Sequence, residues 1–244
     1  SRGRGDVYKR QDPQNVTVTY AETKEVPIEN KEKTGSITVH KTTEGQKNIE
    51  GIKFYLRGTS DSGRAIDIPA TTDKDGIAKF DGVPIGTYMV IEDEETVPYG
   101  YLVADEKEVK VEYAQTIDET ILNNEQTGTV KVHKKTADMT NVEGIRFILS
   151  GISDTGREIR IEATTDKDGL AKFEGVPVGT YTITEDGSTV PYGYLVADSK
   201  QVTVAYAQTV DTDMVNEKAP DTPNTGSSDN DIDGRTVLGG VVVI

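Results

Sequence analysis

The stretch "TGSITVHKTT" at residues 34–43 alternates apolar and polar residues as a β-strand does. Ile37 and Val39 lie on one face of such a strand, and the residues between them lie on the other. The same alternation turns Lys41 toward the apolar face. A buried ammonium group costs several kcal/mol unless another group pairs with it. The strand therefore predicts a partner for this lysine elsewhere in the sequence.

Long stretches of the chain occur twice, which is the sequence signature of repeated domains. The segment "TTDKDGIAKFDGVPIGTY" at 71–88 returns as "TTDKDGLAKFEGVPVGTY" at 164–181. The segment "TVPYGYLVAD" at 96–105 returns unchanged at 189–198. Both pairs are 93 residues apart, without a gap. We therefore expect two tandem domains, at 34–126 and 127–218.

A partial third copy precedes these two domains. Residues 12–35 align with 105–128 at the same spacing of 93 residues. Residues 12–33 are therefore predicted to be the last two strands of a truncated domain of the same kind. Residues 1–11 do not match the repeat, and we interpret them as foreign to it.

Composition narrows the possible functions. The chain has 244 residues, of which 34% are hydrophobic and 28% charged, and its formal net charge is −15. Such an acidic chain repels nucleic acid and anionic membranes, so neither is an expected partner. The absence of cysteine excludes thiolate catalysis, disulfides and cysteine-based zinc sites. With only two histidines, we expect no metal site and no cofactor.

The local pattern within each copy predicts an all-β fold. Short runs such as "SITVHK", "IKFYLRG", "GTYMVIED" and "KEVKVEY" are separated by turn-forming residues. No stretch of adequate length has a helical period. Several short strands within about 90 residues are typical of an immunoglobulin-like β-sandwich.

Two further strands place a polar residue on an apolar face. In the second copy, Glu185 shares a face with Tyr181 and Ile183, and Asn216 shares a face with Met214. Together with the inward lysine of the first strand, this gives one lysine, one glutamate and one asparagine in each copy. The two sets are Lys41, Glu92 and Asn123, and Lys134, Glu185 and Asn216.

The register of the last strand needs one further observation, because Asn124 follows Asn123 directly. In the partial copy Asn30 lies 93 residues before Asn123, and Asn216 lies 93 residues after it. This spacing favours Asn123 as the inward residue.

Two interpretations of these sets remain open at the level of the sequence. The first is a structural one, in which an ion pair and a hydrogen-bonded amide are buried, or the strand ends reach solvent. The second is an intramolecular reaction between lysine and asparagine. Burial disfavours the charged forms of lysine and glutamate. A neutral amine is a nucleophile, and a neutral carboxyl group can move protons during its attack on the amide.

Both full domains resemble the collagen-adhesin B-type (Cna B) repeats, which are prealbumin-like domains of Gram-positive surface proteins and pili. The resemblance rests on "GSITVHKT", on the repeated "TTDKDGIAKFDGVPIGTY" and on "YMVIEDEETVPYGY". It implies prealbumin-like sandwiches in which the first-strand lysine and the last-strand asparagine form an isopeptide bond with the help of the glutamate. The family usually has threonine after that glutamate, whereas Asp93 and Asp186 stand here.

The C-terminal part changes in composition. Residues 219–235 read as a linker that contains "PNTG", the residues Pro223, Asn224, Thr225 and Gly226. This segment resembles a sortase sorting signal, although Thr222 stands where that family has leucine; an ordinary turn is the alternative. The apolar residues 236–244 are too short to span a bilayer, and we interpret them as the start of a truncated anchor.

Together these features predict the stalk of an adhesin or pilin-like protein, extracellular and anchored to the cell wall of a Gram-positive bacterium. The resemblance implies sortase and peptidoglycan as partners, and a host extracellular-matrix protein as the ligand of a missing N-terminal region. In the alternative, the domains themselves bind a host protein or a glycan. We expect no enzyme that acts on an external substrate, because no carboxylate pair is placed across a cleft as in a glycosidase.

Overall fold

The computed structural model describes residues 15–27, 31–47, 49–138 and 142–220, which form two compact units. The predicted fold class is confirmed, because each unit is a β-sandwich built from two sheets. Several features predicted from the sequence lie outside the described residues: segment 1–11, Asn30, the motif 223–226 and the apolar run 236–244.

Within the described residues, the first sandwich has eight strands. They are β1 (Thr34–Thr43), β2 (Gln46–Lys47), β3 (Lys53–Ser60), β4 (Ala65–Thr71), β5 (Ile77–Pro84), β6 (Gly86–Glu92), β7 (Lys107–Val111) and β8 (Thr116–Asn123). One sheet has the order β2-β1-β5, with β8 also paired to β1. The other sheet has the order β4-β3-β6-β7.

The second sandwich has seven strands in the part that the structure describes. They are β9 (Thr127–Thr136), β10 (Arg146–Ser153), β11 (Glu158–Thr164), β12 (Leu170–Pro177), β13 (Gly179–Glu185), β14 (Lys200–Val204) and β15 (Thr209–Asn216). Strands β12-β9-β15 form one sheet, and β11-β10-β13-β14 form the other.

The core of the second sandwich follows from strand alternation. Every second residue of β9 is buried, and the same holds at both ends of β13. Val130, Phe147, Leu149, Phe173 and Tyr181 are each 1% exposed or less and belong to one cluster. Burial of such side chains contributes about 1.5–3 kcal/mol each. The inward faces predicted from the sequence are therefore the faces that hold the two sheets together.

The repeated "DKDG" segment forms a polar turn. The Asp166 carboxylate accepts hydrogen bonds from the backbone N–H groups of Asp168 and Leu170, and Gly169 has a φ of 71°. The Asp and Gly residues of this segment predict a hairpin turn, but the turn leads from β11 in one sheet to β12 in the other. Within the described residues, no group of three or more His, Asp or Glu side chains is arranged to hold a metal ion.

The first and last strands of the second sandwich are parallel neighbours. The pairing runs from Thr209 opposite Thr129 to Asn216 opposite Thr136. Met214 stands opposite Lys134, so the asparagine lies two positions beyond the lysine on the same inward face. This register places the first and last strands of the sandwich side by side.

The described part of the partial copy, residues 15–27, contains no strand. Its Ala21 nevertheless has a φ of 62°, close to the values of 56° and 57° at the matching Ala114 and Ala207. The local turn is therefore kept, whereas strands need neighbours to satisfy their hydrogen bonds and cover their apolar face. Among the described residues there is no helix long and apolar enough to cross a membrane.

Candidate functional site

The Lys134 side chain is fully buried in the second sandwich. Its Nζ lies 3.0 Å from Oε1 of Glu185, whose side chain is also fully buried. The same Nζ donates a hydrogen bond of 3.2 Å to the backbone carbonyl of Met214, on the neighbouring strand β15. The inward lysine of the first strand therefore has the buried partner that its burial requires.

Asn216 completes this group. Its Nδ2 donates to Oε2 of Glu185 at 2.6 Å and to the backbone carbonyl of Leu195 at 2.7 Å. Its Oδ1 is buried and has no hydrogen-bond partner among the described residues. One carboxylate thus contacts the lysine amine through one oxygen and the asparagine amide through the other. Both groups that the sequence singled out are within reach of the same glutamate.

Backbone groups that the sequence did not predict hold this arrangement. The N–H of Ala197 donates to Oε2 of Glu185 at 2.8 Å, and the carbonyl of Leu195 accepts from Asn216. The segment that carries them, residues 195–198, is identical to residues 102–105. That identity was the only available signal, because backbone groups leave no trace in side-chain chemistry.

The first sandwich has matching contacts. Lys41 Nζ lies 3.1 Å from Oε1 of Glu92 and donates to the carbonyl of Ile121 at 3.2 Å. The N–H of Ala104 donates to Oε2 of Glu92 at 2.8 Å. Asn123 is fully buried, and its Nδ2 donates to the carbonyl of Leu102 at 2.7 Å.

Comparison with known proteins identifies the fold family. The family model of the SpaA prealbumin-like fold domain matches the chain twice, at residues 35–126 and 128–218. The chain belongs to this family. The resemblance inferred from the repeated motifs is thereby confirmed. A search of curated protein sequences finds no significant match.

A comparison with solved structures finds matches at low sequence identity. The TIE protein of Bacillus anthracis is 24% identical, with a TM-score of 0.56 over 76% of this chain. The chain covers 34% of that protein's length. The minor pilin GBS52 of Streptococcus agalactiae is 19% identical over 80% of this chain and 100% of its own, with a TM-score of 0.37. The shaft pilin SpaA from Lactobacillus rhamnosus GG is 17% identical over 78% of this chain and 100% of its own, with a TM-score of 0.35.

Burial sets the electrostatics of both SpaA-type sites. Loss of hydration lowers the pKa of Lys134 below its ordinary value of 10.5, and its glutamate partner opposes this shift without cancelling it. The pKa of Lys41 is lowered for the same reason. Each site therefore contains more of the neutral amine than a free lysine would at the same pH, and the neutral amine is the form that can act as a nucleophile.

The aspartate that replaces the usual threonine of the family points away from the site. Asp186 accepts a hydrogen bond from the N–H of Ser188 and caps the short 3₁₀ turn Gly187–Thr189. Its carboxylate also pairs with the Arg146 guanidinium. The hydrogen bond from this arginine is the main cause that lowers the pKa of Asp186 to about 2. Asp186 thus caps a turn on the outer side of the strand.

The lowered lysine pKa predicts a pH dependence that an Asn216→Ala chain exposes, because that chain cannot form a lysine–asparagine bond in the second domain. Between the lowered pKa of Lys134 and 10.5, the unfolded chain binds more protons than the folded one. The free energy of unfolding of the domain is therefore expected to rise as the pH is raised through this window toward 10.5. Urea unfolding followed by NMR signals of β13 measures this slope. An equal slope in Asn216→Ala/Lys134→Met would contradict the assignment.

The exposed tyrosines bear on the alternative of ligand binding. Of the two tyrosines in the first "PYGY" segment, Tyr99 is 75% exposed and Tyr101 is 7% exposed. Tyr192, in the second segment, is fully exposed. Tyr101 is therefore packed in the protein. Tyr99 and Tyr192 are exposed, and each is a single residue of the repeated motif.

Proposed function

We propose that the chain is a stalk segment of a Gram-positive surface protein, and that each SpaA-type domain is closed by a self-formed lysine–asparagine isopeptide bond. The observation that carries this proposal is the buried contact of one glutamate with both Lys134 and Asn216. A buried ion pair is weak evidence for stability by itself. Each domain, however, buries the same lysine, glutamate and asparagine, and in each the lysine is on the first strand and the asparagine on the last. A reaction between lysine and asparagine explains this repeated placement.

The reaction uses only groups of this site. The Lys134 ammonium gives one proton to Glu185, and its nitrogen attacks Cγ of Asn216. Glu185 passes this proton, and a second one that it takes from the attacking nitrogen, to Nδ2, which lies 2.6 Å from its Oε2. The Cγ–Nδ2 bond breaks, a Cγ–Nζ bond forms, and ammonium leaves with the carboxylate restored. The carbonyl of Leu195 helps to orient the departing nitrogen through its 2.7 Å contact.

The proposed bond suits a stalk. Lys134 and Asn216 are 82 positions apart, as are Lys41 and Asn123. A covalent link that closes a loop of this size contributes roughly 4–5 kcal/mol in the chain-entropy model used for disulfides. The link also joins the strands by which the chain enters and leaves each domain. The chemistry acts once on the protein itself, so no turnover of an external substrate is proposed.

Surface attachment is part of the same proposal. By the resemblance to sorting signals, a sortase would cleave after Thr225 and join its carbonyl to peptidoglycan or to another subunit. Host matrix protein would be bound by a region outside this chain. This placement at the cell wall is supported by family membership and by the order of motifs in the sequence.

Intact mass of the purified chain tests the crosslinks. Each bond releases one ammonia, so the folded chain is expected to weigh about 34 Da less than its sequence requires, as for any covalent modification. Lys41→Ala and Lys134→Ala should each restore about 17 Da, and the double variant should restore the full mass. Full calculated mass in the folded wild-type chain would reduce the trios to structural ion pairs and leave ligand binding as the favoured role.

A further inference from the structure

A second buried charge lies outside the lysine–asparagine sites. The Glu125 side chain is fully buried two residues before β9 begins. Its carboxylate pairs with the guanidinium of Arg157 through one oxygen and accepts a hydrogen bond from the hydroxyl of Thr155 through the other. Arg157 keeps 41% of its side chain exposed. The carboxylate of Glu125 is therefore at the centre of this site, and the positively charged guanidinium of Arg157 lies at its solvent-exposed side.

The turn that receives this carboxylate is organised by its own hydrogen bonds. The segment "SDTGR" at 153–157 joins β10 to β11. The hydroxyl of Ser153 lies 2.7 Å from that of Thr155 and accepts from the N–H of Arg157 at 3.0 Å. Gly156 supplies the positive φ of 84° that the tight turn needs. Both donors to the carboxylate are thus held in place by Ser153.

The first sandwich repeats this arrangement. Glu32 lies two residues before β1, and its carboxylate is 3.2 Å from Nη1 of Arg64. Ser62 donates to the other oxygen of Glu32 at 2.5 Å, and its hydroxyl lies 2.8 Å from that of Ser60. The turn here reads "SDSGR" at 60–64. Two turns of the same sequence pattern therefore hold two glutamates 93 residues apart.

The third position of this series has the opposite charge. Counting another 93 residues from Glu125 leads to Lys218, two residues after Asn216. Lys218 Nζ pairs with Asp138 at 2.9 Å. Residues 219–244 contain no further copy of the repeat sequence. At this position of the repeat, Glu32 and Glu125 are each followed directly by another copy of the repeat. Lys218 is followed by residues that do not match the repeat.

We propose that the Ser-Asp-Ser/Thr-Gly-Arg turn is a carboxylate-binding socket whose ligand is the glutamate two residues after the asparagine of the preceding copy. The arginine and the hydroxyl recognise a carboxylate through charge-assisted hydrogen bonds. A lysine at that position is rejected, because its ammonium would face the guanidinium. The socket holds the segment that leads into the first strand, with a single residue, Asn124, between Asn123 and the bound Glu125. This inference does not depend on the isopeptide bonds.

Hydrogen–deuterium exchange of the full-length chain tests the socket. Glu125→Lys copies the residue found at 218, Glu125→Gln keeps the shape without the charge, and Arg157→Glu reverses the socket. Amides of 155–157 are expected to exchange about tenfold faster in Glu125→Lys and in Arg157→Glu, since a hydrogen bond to a charged group contributes enough to change local opening by that factor. Glu125→Gln should fall between Glu125→Lys and the wild type. The charge-swapped chain Glu125→Lys/Arg157→Glu should recover most of the protection.

The first sandwich provides the internal control. Exchange at residues 60–64, in the socket of Glu32, should not change in any of these chains, and their intact masses should equal the wild-type mass corrected for the substitution. Unchanged exchange at 155–157 in Glu125→Lys would overturn the proposal. Failure of the charge-swapped chain to recover protection would overturn it as well. Since the masses report the isopeptide bonds separately, the two proposals can fail independently.

Discussion

Lys134→Met is expected to lower the free energy of unfolding of the second domain by roughly 4 kcal/mol or more. The substitution removes the proposed link across 82 positions, which the chain-entropy model values at about 4–5 kcal/mol. It also removes the amide N–H that the linked nitrogen would donate to the fully buried carboxylate of Glu185. Methionine keeps most of the buried volume, so a cavity adds little. For a domain of this size the melting temperature should fall by about 15 °C or more, which calorimetry measures.

Two further chains separate the contributions to this loss. Lys134→Met/Glu185→Gln also lacks the link but has no unpaired carboxylate, so it should recover the part of the loss caused by that charge. Lys41→Met should produce a comparable loss in the first domain and leave the second transition in place. A Lys134→Met chain that melts at the wild-type temperature would show that the lysine forms no stabilising bond.

Glu185→Gln is expected to slow bond formation in the second domain by about 10²–10⁴-fold. Glutamine has nearly the same shape and can still bond to Asn216 and to the backbone. It cannot carry protons from the nitrogen of Lys134 to the departing Nδ2 of Asn216, so the step that breaks the Cγ–Nδ2 bond loses its proton relay. The intact mass of this chain should therefore be about 17 Da below the calculated mass, whereas the wild type should be about 34 Da below it. The remaining loss of one ammonia comes from the first domain, which retains Glu92.

The rate is measured by refolding the chain and following its mass with time. The first domain reacts in the same tube with its own glutamate, and it serves as the control for folding. A Glu185→Gln chain that loses both ammonias as fast as the wild type would exclude proton transfer by this residue. The lysine and the asparagine would then react without its help.

Much of the site could be predicted because a strand has a period of two and the sequence contains nearly the same domain twice. Alternation alone placed Lys134 on the face of Val130 and Val132, and the structure buries all three. The 93-residue spacing selected Asn123 over Asn124, and Asn123 is the buried one. These inferences needed only local geometry and a comparison of the chain with itself.

Other parts could not be predicted, because they depend on contacts between distant segments without a periodic pattern. The carbonyl of Leu195 and the N–H of Ala197 act through the backbone, so no side chain indicates them. Glu125 reads as one acidic residue among many until folding places it against a turn some 30 residues later. The connection after β11 was predicted as a hairpin because Asp and Gly favour tight turns wherever they occur.

The parallel pairing of β9 with β15 determines how far the second domain lengthens under a pulling force. With the proposed link in place, a pulling force enters at Thr127, follows β9 to Lys134 and leaves through Asn216. The loaded part is seven steps of a strand, about 23 Å. The 81 residues between the two linked positions stay outside the loaded path, although unfolding them would release on the order of 280 Å. With both proposed links in place, each domain would therefore transmit a pulling force without lengthening.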